Sequence, residues 1–166
     1  MTDRRIEHQL MRDDQQYGPD EVRRAIASKS SIVDFGNEEH AVSALWLAKA
    51  EEVLGCTLTP SYKWFLMNYG GGEIGGEEIY SVYGMDFESA VGGDIVYQHL
   101  LGLRSGRTKP QELVVSTTDF GEVFFFDYSR SDGSECPLSL KFGSGEPSHY
   151  ACNFYEFLCK RISALS

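Results

Sequence analysis

The chain has 166 residues, 42% of them hydrophobic and 13% aromatic, with a formal net charge of −10. That composition suits one packed domain of a size that buries roughly 70% of its extended surface, and it excludes a disordered chain. No apolar run approaches the roughly 20 residues of a membrane span, and the excess of acids opposes binding to nucleic acid.

In chain order, residues 1 to 17 are polar, with Ile6, Leu10 and Met11 as the apolar anchors, and read as an arm or short helix. A single domain is expected over residues 18–166. Asp20 is expected to cap a helix through about Ser28 with Val22, Ala25 and Ile26 on one face. Residues Ser28 to Gly36 read as a connector. Asn37 then suits the cap of a helix whose first turn carries Glu38 and Glu39. Ala41, Ala44, Leu45 and Ala48 form one stripe at helical spacing, with Leu47, Ala50 and Leu54 beside it. Gly55 sits where a left-handed residue ends a helix. Thr59 and Pro60 restart one, as cap and first helical residue. Tyr62, Phe65, Leu66 and Tyr69 then make an aromatic-rich stripe, ended by Gly70-Gly71-Gly72.

β-type composition follows, from Ile74 through Ile79 to Tyr83. Asp94 is expected to cap a helix over Ile95 to Leu103. Leu113 to Ser116 and Val123 to Tyr128 read as a hairpin, and Leu138 to Phe142 as a half-buried strand. Val123 to Tyr128 is apolar on both alternations, which predicts a central strand. His149 to Cys152 is short and extended. Asn153, with Glu156 three residues on, predicts a capping box for the last helix. Helices followed by hairpin-linked strands and one further helix indicate α+β, with a mainly antiparallel sheet and the helices on one face.

Several pieces resemble one family signature. Glu51 to Pro60, with Leu54-Gly55 and Leu58-Thr59-Pro60, then Tyr62-Lys63-Trp64-Phe65-Leu66, then Asn68-Tyr69-Gly70-Gly71-Gly72, are similar to the SUKH (Smi/Knr-type) pattern. Thr59 and Tyr69 are departures from it that leave the helix-stop logic intact. Pro137-Leu138 and Ala151 to Leu158 continue the resemblance, which covers about residues 20 to 162.

Catalytic signatures are weak. Gly70 to Gly75 formally matches G-x-G-x-x-G, but a helix precedes it, a strand follows it, and Glu73, Glu77 and Glu78 would repel phosphate. His8, His40, His99 and His149 fall on separate elements. Cys136, His149, Cys152 and Cys159 fit no common zinc spacing, and buried core thiols are the plainer reading. There is no nucleophile elbow, no Ser-x-x-Lys and no HExxH. Glu77 and Glu78 would face opposite sides of a strand, which argues against a shared acid–base site. We therefore expect no catalysis, no cofactor and no metal. Met1 to Arg5 lacks an apolar signal core, so the expected location is the cytoplasm, with reduced thiols.

The charge distribution is more specific than its total. Residues 64 to 140 hold 12 acids and 4 bases, and no Lys or Arg occurs between Lys63 and Arg104. A one-sign field of this kind attracts basic partners. The expected contact residues are Glu73, Glu77, Glu78, Asp86, Glu88 and Asp94, with Asp119, Glu122 and Asp127 as a second set and Tyr80 and Tyr83 as aromatic anchors. Solvated surface carboxylates are the plainer alternative for any one of them. The resemblance implies a bacterial immunity protein that occludes a cognate toxin domain, one directed at nucleic acid and basic in its cleft. It also implies an alternative, a regulatory scaffold of the cell-wall-assembly type; an uncharacterised enzyme, whose catalytic groups meet only in the fold, is the third reading. The expected partner is a protein, neither nucleic acid nor membrane, and the expected state is a monomer or weak dimer.

Overall fold

The computed structural model describes residues 17–165. The N-terminal arm expected around Ile6, Leu10 and Met11 lies outside them. Among the described residues, five α-helices and two antiparallel sheets make an α+β fold. The first sheet has the order β1 (Val33–Phe35), β2 (Gly72–Ile74), β3 (Glu77–Ile79), and the second is a meander of β4 (Glu112–Thr117), β5 (Glu122–Asp127), β6 (Leu138–Phe142) and β7 (Ser148–Ala151). The helices are α1 (Pro19–Ser28), α2 (Ala44–Leu54), α3 (Pro60–Asn68), α4 (Ile95–Arg104) and α5 (Phe154–Ala164). No helix among the described residues is long and apolar enough to cross a membrane.

The caps fall largely where the residue types placed them. Thr59 Oγ1 accepts the Tyr62 amide at 3.2 Å with Pro60 at the first position of α3, Asp94 Oδ1 accepts the Tyr97 amide at 2.9 Å, and Asn153 Oδ1 accepts the Glu156 amide at 2.9 Å. Gly55 ends α2 with φ 72°, a conformation open to glycine without strain. Glu156 reaches back to the Cys152 amide at 3.1 Å, one residue before the cap itself.

Four local expectations need correction. Helix α1 starts at Pro19 with Gly18 at the cap position, and the Glu21 carboxylate takes the Gly18 amide in place of Asp20. Asn37 caps only a 3-10 turn, Glu38–His40, and α2 begins afterwards under Ser43. The reason is tertiary: buried Val42 donates its amide to the Leu66 carbonyl at 3.0 Å, which holds the segment out of the helix. Ala41, Ala44, Leu45 and Ala48 are consequently exposed, and Leu47 and Ala50 carry the packing of α2. The connector before Gly36 contains β1, which finds its partner in β2. The expected strand through Tyr83 stops at Ile79, where the chain turns to bond β4 through Tyr80 N–H to Val115 O at 2.8 Å.

β5 lies inside the second sheet between β4 and β6, and its Phe124, Phe125 and Phe126 are all buried. Phe124 and Phe126 face α3 and α5. Tyr62 lies 5.3 Å from Phe126 and 5.0 Å from Phe154, and Phe124 lies 5.4 Å from Phe157. Each such ring contributes about 1.5–3 kcal/mol by burial and about 0.5–1.5 more per well-oriented pair. A polar clasp locks these elements. The Glu135 carboxylate accepts the Ser61 amide at 2.9 Å and its hydroxyl at 2.7 Å, and Ser61 Oγ accepts the Phe154 amide at 3.0 Å. One carboxylate thus satisfies the first turn of α3 and, through Ser61, orients the start of α5. Helix α4 departs from a one-faced arrangement: it packs on β4, and its Gln98 and Gly102 share a cavity with Val114, Thr117 and Val123 on the opposite face of the sheet.

Candidate protein-interaction surface

The small sheet collects the acidic side chains. Its register sets Asp34 opposite Glu73 and Glu73 opposite Glu78, so three carboxylates cross β1, β2 and β3 in one row. All three are exposed, and none has an ion-pair partner among the described residues. Directly opposed like charges destabilise a sheet. Glycine permits the close approach of these strands: a Cβ on Gly72 would stand 2.3 Å from the Asp34 carbonyl oxygen.

The end of the row is braced by Tyr83. Its hydroxyl donates to Glu78 Oε1 at 2.9 Å and accepts the Gly93 amide at 2.7 Å. Burial, and then the neighbouring Glu78 carboxylate, raise the Tyr83 phenol above its ordinary range, so it stays a donor. A Cβ on Gly93 would fall 1.7 Å from Glu78 Oε1, so glycine makes the space that this carboxylate occupies. The Tyr83 ring is 43% exposed, and Met85 and Val91 on the loop that follows are 45% and 65% exposed. Beside Tyr83 lies an open cleft of about 390 Å³ bordered by Gly36, His40, Tyr69, Gly71, Glu78 and Tyr83.

Other expected contact residues are placed elsewhere. Glu77 turns to the opposite side from Glu78 and binds Arg161, whose guanidinium stacks 4.6 Å from the Phe124 ring. Its charge is spent inside the fold. Asp94 is fully buried; Oδ1 caps α4 and Oδ2 accepts the Tyr83 amide at 2.9 Å, so it positions the loop and presents nothing to a partner. Burial holds its carboxyl above the usual range against the pull of those amides. Asp86 is exposed and accepts the Glu88 amide, while Glu88 stands 3.7 Å from Arg104. Tyr80 turns its hydroxyl to Thr117 at 3.1 Å, away from the row. In the second set, exposed Asp119 sits at the β4–β5 turn and Glu122 accepts the Thr118 hydroxyl at 3.2 Å. Asp127, at the far end of β5, caps a 3-10 turn and pairs with Arg130 at 3.6 Å. Five residue steps of extended strand separate Glu122 from Asp127, roughly 17 Å, so the second set is not one surface.

The residue missed by sequence reading is Asp34. Its signal was the apolar–polar–apolar alternation Val33-Asp34-Phe35, too short to register as a strand without β2 beside it. Met85 and Val91, between Tyr83 and Asp94, belong to no periodic pattern that would single them out.

Among the described residues no group of three or more His, Cys, Asp or Glu comes together to hold a metal. Burial pushes the Cys136 thiol up to about 12 and the Cys159 thiol to about 11, which leaves both protonated and unreactive. His99 is buried, and the same desolvation lowers its pKa, so it is a neutral core imidazole.

A family model described as SMI1-KNR4 cell-wall matches residues 44–158, from the first turn of α2 into α5. The match spans Glu73, Glu78 and Tyr83 and leaves β1 and its Asp34 outside. It covers well over half of the sequence, and the chain belongs to the SUKH (SMI1-KNR4) family.

Proposed function

We propose that this protein is an immunity-type inhibitor acting in the cytoplasm of a bacterium. It binds a basic, nucleic-acid-directed toxin domain and blocks it by occlusion, without chemistry of its own. The observation that carries the reading is the unneutralised row Asp34–Glu73–Glu78, ended by the exposed Tyr83, with Met85 and Val91 exposed on the loop that follows Tyr83. A row of opposed carboxylates costs the free protein stability, and a cationic partner relieves that cost on binding. The apolar trio supplies the dehydrated centre that a charged rim lacks. A cleft built to hold phosphates presents the complementary field, so association is fast and salt-sensitive.

Titration against the toxin domain encoded by the neighbouring gene tests this. Affinity should fall steeply as salt rises, and the double variant E73K/E78K should lose at least a hundredfold. Full affinity after that charge reversal refutes the electrostatic mode. The description of the matched family as a cell-wall one favours a second reading, a regulatory scaffold in wall assembly. A toxin gene adjacent to this one selects the first reading, and its absence the second.

A further inference from the structure

A second site lies on the face of the large sheet opposite α3 and α5. The cavity between α4 and this sheet has a volume of about 440 Å³, within the range of small-molecule pockets. Val114 and Val123 form its sheet wall, Gly102 its helix wall, and Arg107 and Thr108 its rim. The loop is fixed in place, because the Arg107 and Thr108 amides both donate to the Gly102 carbonyl, at 3.0 and 3.3 Å. Glycine at 102 lets the loop close on the helix, since a Cβ would stand 2.5 Å from Thr108 Oγ1.

The polar groups at this cavity are unevenly used. Lys141 is committed: its ammonium pairs with Glu112 at 3.2 Å, with both side chains largely buried, and lies 5.1 Å from the Phe125 ring centre. Arg107 is not. Its Nε donates to Ser105 Oγ at 2.9 Å, which orients the guanidinium, and among the described residues its two terminal nitrogens have no partner. Thr108 Oγ1, turned toward Gly102, is buried and has no hydrogen-bond partner among the described residues. Buried hydroxyls are nearly always satisfied, so an orphan in a cavity wall points to a missing group. Among the described residues no carboxylate lines the cavity, although the chain carries 25 acids.

We propose that this cavity binds a small amphipathic carboxylate. Its apolar body lies over Val114 and Val123, and its carboxylate takes the free fork of Arg107 in bidentate fashion. Rotation of the Thr108 side chain brings its hydroxyl onto the same anion. The guanidinium is the group of choice for this recognition because two parallel N–H donors match two carboxylate oxygens.

Calorimetric titration at neutral pH with octanoate, octanol and octylamine tests the assignment. Octanoate should bind saturably with one site, and octanol and octylamine at least tenfold more weakly. R107Q should weaken octanoate roughly tenfold or more by removing the charge-assisted pair. T117W, at an exposed position on the cavity wall, should abolish it by filling the space. Absence of saturable octanoate binding overturns the proposal. So does equal binding of octanol, or octanoate affinity unchanged in either variant.

Discussion

Replacing Glu73 by glutamine should stabilise the free protein. Glu73 is the centre of the row, facing Asp34 on one side and Glu78 on the other, so one substitution removes two repulsive pairs. Exposed carboxylates splayed to about 6 Å repel by about 0.7 kcal/mol per pair in a water-like dielectric. At about 0.01 M salt, with a screening length near 30 Å, two pairs amount to roughly 1 kcal/mol. At about 1 M salt the screening length is near 3 Å and about 0.2 kcal/mol remains. Glutamine keeps the side chain's shape and solvent exposure, so little else changes. Urea unfolding of both proteins across this salt range reads the difference directly. The wild type should gain on E73Q as salt rises, with equal m values. A variant no more stable than wild type at low salt, or a difference indifferent to salt, refutes the repulsion argument and with it the physical basis of the acidic interface. The same substitution should weaken binding to the basic partner, which would separate function from stability at one residue.

Other perturbations test the frame around that row. E77A should cost about 3–5 kcal/mol in urea unfolding, because it leaves the Arg161 guanidinium buried without its partner; a loss under about 1 kcal/mol would place that pair in solvent. E135A should cost about 2–4 kcal/mol by stranding the Ser61 amide and hydroxyl, and E135Q, which keeps one acceptor, should recover part of it. G93A should leave the melting temperature nearly unchanged while displacing Glu78 from Tyr83, visible as a shift in the Tyr83 ring resonances and a weaker partner affinity. His99 makes stability depend on pH. Its folded pKa is depressed below 6.5 by burial, so the unfolded chain binds the extra proton, and stability falls as pH drops from about 6.5 toward the folded value. H99Q should remove that component. Asp94 and Glu135, whose pKa values are raised by burial, act with the opposite sign at lower pH: there the folded state holds the extra protons, and their contribution falls as pH rises.

The large sheet and most helix boundaries were legible because their signals are local. Thr59, Asp94 and Asn153 act on amides three residues away, and the Tyr62-Phe65-Leu66 stripe needs only a helical period. The Val123 to Tyr128 run announced its central place by being apolar on both faces. The start of α2 was misplaced because the amide of Val42 is claimed by Leu66, a partner that no local pattern contains.

What the residues alone determined was the α+β class, the aromatic core and an acidic character concentrated between Lys63 and Arg104. Which acids reach a partner was decided only in three dimensions. Glu77 and Glu78 are neighbours in the chain, yet one is neutralised by an arginine 84 positions away and the other joins a row begun at Asp34. Charge is a property of composition, whereas neutralisation depends on strand register and on contacts between distant segments, and those exist only once the chain has closed on itself.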